Sequence, residues 1–84
     1  MTDSARIPDR VEQHELGGTV SYFTLSNGLI VSVLGDGYRY ADDYELHQRD
    51  LRSGEVVPYT EQRADTWEGI WALLDTLESQ GAEA

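Results

Sequence analysis

The stretch from Thr19 to Leu34 constrains this chain more than any other. Thr19 to Ser26 (TVSYFTLS) and Leu29 to Leu34 (LIVSVL) are dense in β-branched, aliphatic and aromatic residues, and Asn27-Gly28 lies between them. Such runs favour strands. Asn-Gly favours a two-residue type I′ turn, in which both residues take positive φ. The stretch therefore predicts a β-hairpin. Its alternation leaves apolar side chains on both faces. Val20 and Tyr22 oppose Phe23 and Leu25, and Leu29, Val31 and Val33 oppose Ile30 and Leu34. One face can lie under a helix. The other must be covered by sheet curling, by the N-terminal segment or by another chain.

The helix is legible from Asp65 to Gln80. Trp67, Ile70, Trp71, Leu74 and Leu77 recur at helical spacing, with Leu73 beside them, and Glu68, Ala72, Asp75 and Ser79 lie opposite. Asp65 with Glu68 forms an Asp-x-x-Glu variant of the capping box, and Gly81 is placed to end the helix in a left-handed conformation. Tyr44 to Leu51 alternates, with Tyr44, Leu46 and Gln48 on one face and Glu45, His47 and Arg49 on the other. Tyr38 to Ala41 reads as the start of a third strand, with a bulge or short loop at Asp42-Asp43, and Val56 to Thr60 as a last strand. Pro58 cannot donate to a ladder and places that strand at an edge or a bulge. Val11 to Leu16 fits either a helical turn or an edge strand. The expected fold is α+β, an antiparallel β-meander of four to five strands with one C-terminal amphipathic helix packed on one face. Residues 1–10 read as a flexible N-terminal segment, 11–80 as a single domain and 81–84 as a frayed tail.

Composition narrows the chemistry. The 84 residues contain no cysteine, which excludes disulfides, thiolate metal sites and cysteine nucleophiles. Sixteen carboxylates face six cations, all arginine, for a net charge of −10. The missing lysine fits GC-rich coding or salt adaptation. In either case direct binding to nucleic acid or an anionic membrane is not expected, because both need a positive footprint. No apolar run approaches the roughly 20 residues that cross a bilayer, and the N-terminus lacks the apolar core of a secretory signal. A cytoplasmic location is the expectation.

No catalytic, cofactor-binding or metal site is expected. The two histidines, His14 and His47, would meet in a two-histidine-plus-carboxylate site only if their strands were neighbours, and no HExxH spacing is present. Asp36, Asp42 and Asp43 lack the loop pattern of a calcium site. There is no GxSxG and no phosphate-cradling glycine loop. The chain reads as a small acidic, non-enzymatic protein-binding module, docking on a larger protein of basic character or self-associating as a homo-oligomer. Tyr38, Arg39, Tyr40 and Tyr44 are its candidate contact residues, since Tyr and Arg are enriched in binding hot spots. The alternative is an acidic inhibitor that mimics nucleic acid and blocks a DNA- or RNA-binding protein, with Glu68, Asp75 and Glu78 on the helix as its anionic surface. In size and charge, and in no motif, the chain is similar to the small phage-encoded inhibitors of restriction and CRISPR enzymes.

Overall fold

The computed structural model describes residues 7–82. Five strands form one antiparallel sheet in sequential order: β1 (Arg10–Gln13), β2 (Thr19–Thr24), β3 (Ile30–Gly35), β4 (Tyr44–Arg49) and β5 (Gln62–Ala64). A single helix, α1 (Trp67–Ala82), follows and packs on one face. This is the α+β meander that the sequence predicts. Val11 to Leu16 resolves as an edge strand plus a turn. Of the stretch read as an N-terminal segment, residues 1–6 lie outside the described residues. Arg10 already belongs to β1, and the Asp9 amide donates to the Tyr22 carbonyl (2.8 Å). At the other end, Gly81 lies within α1 instead of terminating it, and residues 83–84 lie outside the described residues.

The registers sort the side chains into two faces. Val11, Ser21, Val33, Leu46 and Gln62 form one row across the sheet, and Arg10, Tyr22, Ser32 and His47 the next, on the opposite face. Phe23, Leu25, Val31, Val33 and Leu46 face the helix and are closed off from water with Ile70, Leu74 and Leu77. Trp67 and Trp71 stack on one another (4.8 Å between centroids), and both meet Phe23 edge-on. In a chain this short, a buried phenyl ring with two half-buried indoles packed on it supplies a large share of the apolar area removed from water.

The second face is not bare. Val20, Tyr22, Ile30 and Leu34 are only half-buried there, and two arginines lie over Tyr22. The Arg10 guanidinium sits 4.3 Å from the centre of the Tyr22 ring and that of Arg49 5.7 Å from it. The Arg49 Nε also donates to the buried Ser32 hydroxyl (2.9 Å). Arginine is well suited to this position, since its aliphatic stem covers apolar surface while its planar head stacks on an aromatic ring.

Three local expectations need correction. The β2–β3 turn is not type I′. Leu25 N donates to Leu29 O (2.8 Å), Gly28 N donates to Leu25 O (2.9 Å), and Gly28, not Asn27, takes positive φ (91°). This is the three-residue loop in which a type I turn is closed by a glycine bulge. Asn27 is thereby free to point its side chain at the helix. The helix cap is Thr66, not Asp65: the Thr66 hydroxyl accepts from Gly69 N (3.1 Å), and the Thr66 carbonyl accepts from Ile70 N (3.2 Å). The third correction concerns Tyr38 to Ala41, which form no strand. The β1–β2 turn is pressed against this segment, with Arg39 N donating to Leu16 O (3.0 Å). A Cβ at Gly18 (φ +77°) would meet the Gly35 carbonyl at 2.3 Å and Tyr38 N at 2.7 Å, so only glycine permits the approach.

Candidate functional site

Val56 to Thr60 also departs from the expected strand, and the departure leaves large apolar side chains exposed. Val56 bridges Arg49, and Gln62 is paired with Leu46. Two residues separate the partners on β4, whereas five separate Val56 from Gln62, so three residues are looped out. Pro58 has no amide hydrogen to give the ladder, and Tyr59 sits at φ +65°. A tyrosine in the left-handed region is strained, at a cost of order 1–3 kcal/mol. The surrounding bonds hold it there. Val57 N donates to Gln48 O (2.8 Å), and the Thr60 hydroxyl donates to Val57 O (2.7 Å) while accepting from Gln48 N (3.0 Å). The Tyr59 side chain is fully exposed (105%).

Leu51 (75% exposed) and Val56 (40%) belong to the same β4–β5 connection. Asp50 fixes its first turn: its carboxylate accepts from the amides of Arg52 (2.7 Å) and Ser53 (3.0 Å), which hold its pKa below the ordinary carboxylate value. The turn is closed by Gly54 N donating to Asp50 O (2.8 Å) and by Arg49 Nη1 donating to Gly54 O (3.0 Å). The loop is thus built from specific bonds and presents apolar side chains outward.

The tyrosines singled out from the sequence divide into two environments. Tyr38 and Tyr40 meet edge-on (5.7 Å), Tyr38 also meets the His14 ring (5.3 Å), and Tyr40 and Arg39 are exposed. Tyr44 instead lies on the helix face against Trp67 (4.9 Å). Its hydroxyl donates to Asp36 (2.7 Å), and Trp67 Nε1 reaches the same carboxylate (3.3 Å). That hydrogen bond first, then burial and the Asp36 charge, raise the Tyr44 phenol pKa. Tyr44 therefore joins the core to the Asp36 turn, while Tyr38, Arg39 and Tyr40 remain at the surface.

The helix carboxylates divide as well. Glu68 and Asp75 are exposed on the outer face. Glu78 is half-buried and accepts the Ser26 amide (2.7 Å), tying the helix to the β2–β3 turn. Beside it, Asn27 Nδ2 donates to the carbonyls of Leu77 and Glu78 (3.1 Å each), and Asn27 Oδ1 accepts from Leu29 N (3.1 Å).

A further cluster lies on the open sheet face beside the bulge. Arg63 donates to Asp43 (2.9 Å), Glu45 (3.1 Å) and Glu61 (2.8 Å). His47 Nε2 stands 4.0 Å from Glu45 Oε2 and 3.9 Å from Glu61 Oε1, beyond hydrogen-bonding distance from either. The two histidines do not meet. His14 lies at the far edge of the sheet, where its Nδ1 accepts from Leu16 N (3.1 Å). The cluster forms because β4 alternation puts Glu45 and His47 on one face and the β4–β5 register sets Glu61 opposite His47. Only the first half of that is visible without the pairing.

Among the described residues no helix is long and apolar enough to cross a membrane. Comparison with protein-family models, with curated proteins and with solved structures found no match to this chain.

Proposed function

We propose that this chain is a non-enzymatic protein-binding module whose contact surface is the bulged β4–β5 loop, with Leu51, Val56 and Tyr59 as its apolar anchors. The observation that carries this reading is Tyr59, a strained residue held wholly in solvent by a bonded loop. A folded chain gains nothing for itself from that arrangement, whereas an exposed aromatic on a rigid support loses little entropy when a partner covers it. The chain as a whole carries a net charge of −10, so a basic partner fits it better than an acidic one. Tyr38, Arg39 and Tyr40 lie at the opposite end of the sheet and offer a second, smaller contact. The alternative of a nucleic-acid mimic rests on Glu68 and Asp75 alone, since Glu78 serves the β2–β3 turn.

The test is affinity capture from the native lysate with three baits: the wild type, a Leu51→Ser/Tyr59→Ser variant and a Tyr40→Ala variant. The expected result is a protein that resists elution by salt from the wild type and from Tyr40→Ala, and is not recovered on the loop variant. Equal recovery on the loop variant, with its urea unfolding midpoint unchanged, refutes the loop as the contact surface. A partner released by moderate salt from all three baits would favour the acidic helix face.

A further inference from the structure

We infer that Glu45, His47 and Glu61 form a binding site for a divalent transition-metal ion, with zinc as the best match. The three side chains offer one imidazole nitrogen and two carboxylate oxygens, all within 4.8 Å of one another. The two imidazole-to-carboxylate separations are 4.0 and 3.9 Å. With the third side at its limit, the point equidistant from the three atoms lies about 2.5 Å from each, against the ~2.0–2.2 Å of zinc–nitrogen and zinc–oxygen bonds. Small rotations of the two glutamates close that difference. The space between these atoms is therefore the size of a metal ion, and no direct hydrogen bond between them has to be broken to fill it.

The donor set decides the class of ion. Calcium and magnesium prefer all-oxygen cages, whereas an imidazole with carboxylates suits zinc and its neighbours in the first transition row. Three protein ligands leave a fourth position for water, and the cluster lies on the open face of the sheet, where water has access.

Arg63 is the feature that could argue against a cation, and at Glu61 its geometry answers the objection. It grips Glu61 through Oε2, leaving Oε1 turned towards His47. It also holds Asp43, and it holds Glu45 through Oε2, the oxygen that faces His47, so an ion would share that oxygen with the guanidinium. Three carboxylates with one guanidinium leave two negative charges, which a divalent ion neutralises. In this arrangement Arg63 orients Glu61 from outside, as hydrogen-bonded outer groups do in other metal centres, and bonds the ligating oxygen of Glu45 directly. Glu45 and His47 are well supported: their side chains are 19% and 23% exposed, and both sit on a central strand of the β3–β4–β5 ladder. Glu61, at 45% exposed, is the adjustable ligand.

The experiment is calorimetric titration of the chelator-stripped full chain with zinc chloride near neutral pH. The expected result is one ion per chain. His47→Ala and Glu61→Gln should each weaken binding by about tenfold or more, while His14→Ala leaves it unchanged. Circular dichroism of each variant establishes that it folds, and zinc should raise the melting temperature of the wild type but not of His47→Ala. No zinc binding by the wild type overturns the inference. So does binding that is lost in His14→Ala but kept in His47→Ala, or binding indifferent to Glu61→Gln. The capture experiment above reads the loop independently of zinc, so the two proposals can fail separately.

Discussion

Replacing Asn27 with aspartate separates two jobs that this residue does at once. Its Oδ1 closes the β2–β3 turn on Leu29 N, and its Nδ2 holds the carbonyls of Leu77 and Glu78 near the end of α1. Asn27→Ala loses all three bonds. At about 0.5–1.5 kcal/mol net for each, and with water able to reach a half-buried site, the expected loss is about 1–2 kcal/mol. Asn27→Asp keeps the turn contact. It removes the donor, however, and sets a carboxylate against two carbonyl oxygens 3.1 Å from the old nitrogen, at the negative end of the helix. On the same scale the two bonds it loses cost about 0.7–1.3 kcal/mol, and the repulsion adds about 0.5–1 kcal/mol. The aspartate variant should therefore fall about 1–2 kcal/mol below the wild type, as far as the alanine variant, even though it is the closer substitute. Urea unfolding followed by the emission of Trp67 and Trp71 reads this directly, provided the slope m is unchanged. The loss in the aspartate variant should shrink towards about pH 4, as the new carboxyl takes up a proton and becomes a donor. An Asn27→Asp protein as stable as the wild type at neutral pH would refute the claim that Asn27 clamps hairpin to helix.

Leu74 is completely buried, and Leu74→Ala should cost about 2–5 kcal/mol in the same assay; a loss below about 1 kcal/mol would place it outside the core. At Gly18 an added methyl would meet backbone atoms 2.3 and 2.7 Å away at φ +77°. Gly18→Ala should therefore lower stability by more than about 2 kcal/mol, and an unchanged urea midpoint would show that the β1–β2 turn can leave residues 35–39. The raised Tyr44 pKa gives a signed pH dependence. Its contribution is fully present below the unfolded phenol value near 10 and is lost as pH rises through the folded one. Tyr44→Phe should thus be less stable than the wild type at neutral pH and converge on it in alkali, whereas parallel stability curves up to high pH would contradict the Asp36 bond.

Local sequence periodicity carried the elements whose partners lie close along the chain. The β2–β3 hairpin, the alternation of β4 and the apolar stripe of α1 each follow from residue spacing within one or two elements. Where neighbouring chain intervened, local reading failed. Tyr38 to Ala41 have strand-like composition, yet the β1–β2 turn occupies their backbone bonding. Asp65 has the better capping-box spacing, yet Thr66 is the residue whose hydroxyl meets the free amide. Asn27-Gly28 was legible as a turn but not as a glycine-bulge turn, because the competing demand on Asn27 comes from helix carbonyls some fifty residues away.

The same division holds for the candidate sites. The sequence by itself determined the acidic charge, the exclusion of cysteine chemistry, the α+β meander and the placing of Glu45 and His47 on one face. Pro58 already marked an edge or a bulge. Only the tertiary structure decided that three residues loop out there, turning Tyr59 into solvent, because bulge size depends on two separate pairings with β4. Only the β4–β5 register set Glu61 across from His47, and only helix packing drew Tyr44 away from Tyr38 and Tyr40. Alternation specifies the face to which a side chain points, whereas register and packing specify what it meets there.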